Sequence, residues 1–180
     1  MIIWLNGTFG AGKTTTSAEV AKIVPEATVF DSEQVGSMLR HVKRLPRVTD
    51  FQHWPPWRAL VVQTATQLLD YFGGVLVIPQ TVLIEQYWTE IRTGLEKAGI
   101  PLHHFLLHAD RDTLIHRIEN DTIVNERDSV VNDAGSWRMN HLPAYEEALL
   151  WLRRETREID TTDIPPREVA SLVASKVVTN

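Results

Sequence analysis

The sequence has no cysteine, which removes disulfides, thiolate metal ligands and cysteine nucleophiles together and fits a reducing compartment. It has no long apolar run: stretches such as 75–78 fall far short of the roughly 20 residues that cross a bilayer. It also lacks a basic excess, with 18 Lys and Arg against 23 Asp and Glu and a formal net charge of -5. That balance argues against non-specific nucleic-acid binding, which needs a basic surface. The opening Met1-Ile2-Ile3-Trp4-Leu5 carries no basic n-region and no small-residue cleavage site, so no signal peptide is expected. A cytoplasmic protein without a transmembrane segment is the expectation, with peripheral membrane contact left open.

What is present suits one folded domain. The 180 residues are 43% hydrophobic, enough to bury a core. Short apolar runs alternate with longer helical patterns, as in βαβ units around a parallel sheet. Strands are predicted at 2–6, 27–30, 74–78, 102–108 and 156–160. Helices are predicted at 13–23, 32–42, 56–72, 85–98, 111–119, 143–154 and 166–177. Nothing repeats and no linker divides the chain, so residues 1–180 read as a single domain. Residues 43–55 and 120–136 resist regular assignment, and each reads equally as a functional loop or lid and as a plain surface loop.

The first strand runs into Gly7, Thr8, Phe9, Gly10, Ala11, Gly12, Lys13 and Thr14, which fits G-x-x-x-x-G-K-[ST]. Glycines let the backbone curl so that successive amides face phosphate oxygens. Lys13 adds a positive charge for the β- and γ-phosphates, and the Thr14 hydroxyl is placed to ligate magnesium. The helix that follows, with Thr15 in its first turn, contributes its positive end. Strand before and helix after support the match, so ATP with Mg2+ is the expected cofactor pair.

Other nucleotide-binding signatures are missing. There is no N-K-x-D base-reading motif, and the third strand ends at Ile78-Pro79 without a carboxylate. The acid that phosphoryl transfer needs must therefore come from elsewhere. Asp31 stands directly after the second strand, at the carboxyl edge where ligands bind in open α/β sheets. There it can take the proton of an attacking hydroxyl or hold magnesium. Its bland alternative is to cap the next helix, with Ser32 the other capping candidate. Glu33 reads as a first-turn helix charge more than as a catalytic acid. Strand three delivers Gln80 and Thr81 to the same edge, strand four His108 and Asp110, strand five Thr161 and Thr162. The turn from Ile159 to Ile164 is suited to wrapping an adenine, with Thr161 and Ile164 as its contacts.

Met1-Ile2-Ile3-Trp4-Leu5-Asn6-Gly7, Phe30-Asp31, Phe51-Gln52 with Trp57-Arg58, and His103-His104-Phe105 resemble the tunicamycin resistance protein family of bacteria. The resemblance covers most of the chain, to about residue 165. It implies a three-layer α/β P-loop fold of the nucleoside and shikimate kinase type, with a five-stranded parallel sheet, helices on both faces and a lid. It also implies ATP binding linked to resistance against a lipid-bearing nucleoside antibiotic. Asp31 resembles the general base of small-molecule kinases. Arg117 resembles the lid arginine over adenine, and Arg127 is the second lid candidate within a lid spanning 117–140.

The segment 40–60 is where such kinases form the acceptor pocket. Arg40, Phe51, Gln52, Trp54, Trp57 and Arg58 gather there, with Gln80 nearby. Aromatic rings there suit a uracil or an acyl chain, and arginines suit substrate oxygens. Trp57 reads equally as the core stripe of an amphipathic helix, whereas Trp54 is expected in the pocket and Trp4 and Trp151 in the core. His104 and His108 share one face of strand four, but no third ligand is evident, so a buried histidine and no zinc are expected. Three functions follow. One is a kinase phosphorylating tunicamycin or a related nucleoside- or sugar-like compound; the others are a binder that sequesters the drug and a housekeeping metabolite kinase.

Overall fold

The computed structural model describes residues 1–120 and 134–177. Five strands form one parallel sheet: β1 (Ile2–Asn6), β2 (Ala27–Val29), β3 (Val75–Pro79), β4 (Leu102–His108) and β5 (Arg157–Asp160), in the order β2-β3-β1-β4-β5. Every residue of β1 is buried, as is nearly all of β3. Central parallel strands are covered on both faces, which is why these segments are continuous apolar runs without alternation.

The helices are α1 (Lys13–Ile23), α2 (Glu33–Leu39), α3 (Pro55–Phe72), α4 (Glu85–Lys97), α5 (Arg111–Glu119), α6 (Ala134–Met139), α7 (Leu142–Glu155) and α8 (Pro166–Ser175). They flank the sheet to give the expected three-layer fold, with α1 packed on α8 and α3 on α4. Among the described residues no helix is long and apolar enough to cross a membrane. Most predicted boundaries hold to within a residue or two. The second helix stops at Leu39 instead of 42, because tight turns from Leu39 to Val42 and Val42 to Leu45 lead into Pro46. Residues 43–55 contain a short 3-10 turn, Phe51–His53, capped by the Asp50 side chain. Helix α6 went unforeseen: six residues are too few to show a helical period.

Four indole N–H groups fasten loops near the carboxyl edge of the sheet. Trp4 donates to the Gln80 carbonyl at 3.1 Å, Trp57 to that of Ser32 at 3.1 Å, Trp54 to that of Pro46 at 2.9 Å and Trp151 to that of Leu83 at 3.0 Å. Each ring is buried and each polar tip ends on a loop carbonyl, so core packing and loop position are set by the same side chains.

Candidate nucleotide and phosphoryl-transfer site

The phosphate loop is curled by glycines in the left-handed region, Gly10 at φ 77° and Gly12 at φ 87°. A side chain at Gly7 is impossible on other grounds, since its Cβ would sit 2.5 Å from the Leu107 carbonyl oxygen. Donors from four directions hold the loop's carbonyls. Thr81 Oγ1 donates to Gly7 O at 2.7 Å, Lys13 Nζ to Thr8 O at 2.8 Å, Arg117 Nη1 to Gly10 O at 3.3 Å and Thr161 Oγ1 to Ala11 O at 3.3 Å. The first turn of α1 has no side-chain cap, so its amides are left for an anion. Around Gly12 a Cβ would meet nothing nearer than Thr16 Oγ1 at 3.9 Å, which leaves room at the mouth of the cradle. These features fit the phosphates of a nucleotide.

Asn6 sets the loop's starting point. Its carboxamide oxygen accepts the Gly7 amide at 2.8 Å and the Val82 amide at 2.9 Å, while Nδ2 donates to the Val82 carbonyl at 3.0 Å. Sequence reading passed over this buried residue, although its place directly before the first loop glycine was the available signal.

Lys13 is half-buried as a residue, and its ammonium lies within the loop. Burial lowers its pKa to about 8, with Glu33 opposing and Arg138 adding to the fall. Glu33 is exposed as a residue, yet loss of water around its carboxyl, and then the Asp31 charge, push its pKa up. Lys13 and Arg138 oppose that rise, and Asp50 adds to it. The start of α2 therefore lies within electrostatic reach of the phosphate loop, even though β3 separates β2 from β1 by two strand spacings, about 10 Å.

Asp31 is exposed at that edge. Oδ1 accepts the Glu33 amide at 3.0 Å and Oδ2 accepts Gln34 Nε2 at 2.8 Å, so in this structure it caps α2, a task for which Ser32 makes no side-chain bond. Thr14 and Thr15 are exposed at the start of α1. Among the described residues no three His, Asp or Glu side chains gather as a metal site.

The far wall comes from α6 and from His141, two residues beyond it. Phe9 meets Trp137 at 5.1 Å and His141 at 5.5 Å, both edge to face, while the Arg138 guanidinium stands 5.2 Å from the Phe9 ring centre. Arg138 thus joins Lys13 and Glu33 around the loop, a neighbour that sequence reading did not anticipate. Arg127 and most of the expected lid lie outside the described residues.

Arg117 braces the site. Besides Gly10 it donates to the Thr161 carbonyl at 2.8 Å and the Thr162 carbonyl at 3.0 Å, binding the turn after β5 to the phosphate loop. Thr161 is buried and its single hydroxyl proton is shared between the Ala11 carbonyl and the nearer His108 carbonyl at 3.0 Å, while Ile164 packs against the core. In this structure the Thr161 side chain supports the loop and does not face open space.

The acceptor-segment residues separate into two groups. Arg40 is exposed, and no side-chain hydrogen bond joins it to the described residues. Trp54, expected on a pocket wall, is instead 6% exposed in the core, because its indole secures Pro46. Trp57 is fully buried, and Phe51 packs on it at 5.0 Å. Arg58 is buried too: it pairs with Glu90 at 2.6 Å, donates to the Gln52 carbonyl and lies 4.1 Å from the Tyr87 ring centre. Gln52 donates to Asp50, and Gln80 accepts from Ser32 Oγ at 2.7 Å. Of the polar candidates, Arg58, Gln52 and Gln80 are thus committed to internal partners. Tertiary packing brought Glu90 to Arg58 and Ser32 to Gln80 from positions distant in sequence, whereas Asp50 is two residues from Gln52. His104 is likewise buried, lying 3.7 Å from the Trp88 ring centre, and burial takes its pKa down to about 3, with Arg92 assisting and the Glu155 backbone opposing.

A family model described as an AAA domain matches residues 2–139. Among solved structures, the tunicamycin resistance protein of Deinococcus radiodurans superposes with a TM-score of 0.75 at 26% identity, over 99% of this chain and 96% of that one. The APS kinase of Mycobacterium tuberculosis, in complex with AMPPNP and APS, gives 0.64 at 14% identity over 99% and 97% of the two chains. The shikimate kinase of Acinetobacter baumannii, bound to shikimate, gives 0.59 at 17% identity over 99% and 93%. No curated protein matches the chain by sequence. Matched over residues 2–139 and built on a phosphate loop and a five-stranded parallel sheet, the chain belongs to the AAA domain family.

Proposed function

We infer that this protein transfers the γ-phosphoryl group of ATP to a hydroxyl of a small molecule, and that the acceptor is tunicamycin or a related nucleoside- or sugar-like compound. The observation that carries the transfer is the loop itself: three carbonyls held by donors from outside it and a fourth by its own Lys13, an uncapped helix start and a partly desolvated Lys13 ammonium. The tunicamycin resistance structure supports the acceptor class.

In this reading the loop amides and Lys13 bind the β- and γ-phosphates, and Arg117 holds the turn that frames the base. Thr14 and Asp31 are the residues that would hold magnesium, which when bound neutralises phosphate charge. Asp31 takes the proton of the acceptor hydroxyl. The acceptor oxygen bonds to the γ-phosphorus as the bond to the β–γ bridging oxygen breaks, leaving ADP. Arg40 remains an exposed arginine on the acceptor side.

The capping bonds of Asp31 favour a second reading, in which the carboxylate is structural and the protein protects by sequestering the drug. Incubation of the protein with Mg2+, ATP and tunicamycin, followed by mass analysis of the drug, separates the two. The kinase reading expects the mass of one added phosphoryl group, lost in Lys13→Ala and Asp31→Asn. Tight binding of unmodified drug by nucleotide-loaded protein would overturn it.

A further inference from the structure

At the opposite edge of the sheet, where β4 and β5 begin, lies a cavity of about 420 Å³ between the later turns of α4 and the end of α7. It opens at the end of the strands away from the phosphate loop, and His104 in its wall lies two positions along β4 from Leu106, the register partner of Asn6. Its size falls within the range of small-molecule sites.

The chemistry of its wall is unlike that of the chain as a whole. The protein carries a net charge of -5, yet the cavity gathers Arg92, Arg154 and Arg157 against two carboxylates, Glu96 and Glu155. Arg154 and Arg157 already donate elsewhere, to Glu85 and to the Lys176 carbonyl. Arg92 does not. Its carboxylates stand at 3.7 Å (Glu96) and 3.8 Å (Glu155), beyond hydrogen-bond length, and its Nε is buried without an acceptor. Trp88, 1% exposed and also in the wall, has a buried indole N–H with no acceptor. Unmet buried donors are costly, and both belong to residues lining the same cavity. His103, His104 and Thr156 complete the polar lining, and the Trp88 ring meets that of His104 at 3.7 Å.

We propose that this cavity is a second ligand site, taking a small anion whose carboxylate or phosphate oxygens accept from Arg92 and from the Trp88 indole. Arginine forks suit such oxygens, and Arg92 brings a buried donor without an acceptor to this wall. Contacts run from the wall to the nucleotide site: Trp88 stacks on His104, His104 Nε2 lies 3.4 Å from Asn6 Nδ2, and Asn6 holds the Gly7 amide.

The test is nuclear magnetic resonance of the full chain, following the Trp88 indole signal (assigned through Trp88→Phe) during titration with citrate and with inorganic phosphate. Phosphate also suits the Gly7–Thr14 loop, so the titrations are repeated in Lys13→Ala. The proposal expects a saturable shift of the Trp88 signal that survives Lys13→Ala and is weakened at least tenfold by Arg92→Met. Saturation by citrate alone assigns a carboxylate ligand, and by phosphate alone a phosphate. Arg154→Gln, on the exposed rim, serves as a second variant if Arg92→Met fails to fold, with a several-fold weakening expected. A Trp88 signal unmoved by millimolar amounts of both anions, a shift that vanishes with Lys13→Ala, or affinity unchanged in the folded arginine variants would overturn it.

Discussion

The Asn6 carboxamide accepts the backbone amide of Gly7 at 2.8 Å, so the last residue of β1 aims the first residue of the phosphate loop. The same oxygen takes the Val82 amide, which joins the segment after β3 to that loop. Replacing Asn6 with Ala strands two buried amides and a carbonyl. The expected cost is about 3 kcal/mol in urea unfolding, with weaker ATP binding in calorimetry. Unchanged stability would show that the loop's position does not depend on this side chain.

Lys13 makes nucleotide binding depend on pH. Its pKa in the nucleotide-free protein is lowered from 10.5 to about 8, chiefly by burial. Between those two values the unfolded chain binds more protons at this position than the folded one. Its contribution to folding stability therefore rises with pH across that window. ATP affinity moves the other way, falling as pH climbs through about 8, because the neutral amine no longer attracts phosphate. Near pH 8 binding should draw a proton from buffer, measurable by calorimetry in buffers of different ionisation enthalpy. Lys13→Ala should abolish that uptake.

Gly36 in α2 is where Phe51, of the segment proposed to take the acceptor, packs on the helix. A Cβ there would lie 2.6 Å from Cγ of Phe51, so Gly36→Ala must push the Phe51 ring off Trp57. The expected loss is about 1–3 kcal/mol of stability, a raised acceptor KM and an unchanged ATP affinity. Steady-state kinetics with ATP and acceptor varied separately would reveal an effect confined to ATP, which would place this segment outside the acceptor side.

Arg58 acts in this structure as a buried brace between α3 and α4, held by Glu90, the Gln52 carbonyl and the Tyr87 ring. Arg58→Met should cost about 2–3 kcal/mol, since it leaves Glu90 and a buried carbonyl without their donor. ATP affinity should hold. Full stability combined with a raised acceptor KM would assign the guanidinium to substrate.

Much of the architecture is legible in the sequence because its causes are local. The glycine spacing around Lys13 is a property of eight adjacent residues, and the strand and helix periods are properties of neighbours along the chain. The parallel sheet and the phosphate loop follow from these alone, whereas the three-layer arrangement was what the family resemblance implied. What tertiary structure decided is which polar side chains are spoken for. Arg40 and Arg58 are equivalent as letters, yet one is exposed and the other is buried against Glu90, 32 residues away. Trp54 is a core residue because Pro46 offers it a carbonyl, and Arg138 joins Lys13 because α6 packs over Phe9. Such partners meet through strand order and helix packing across the whole chain, and no local period encodes them.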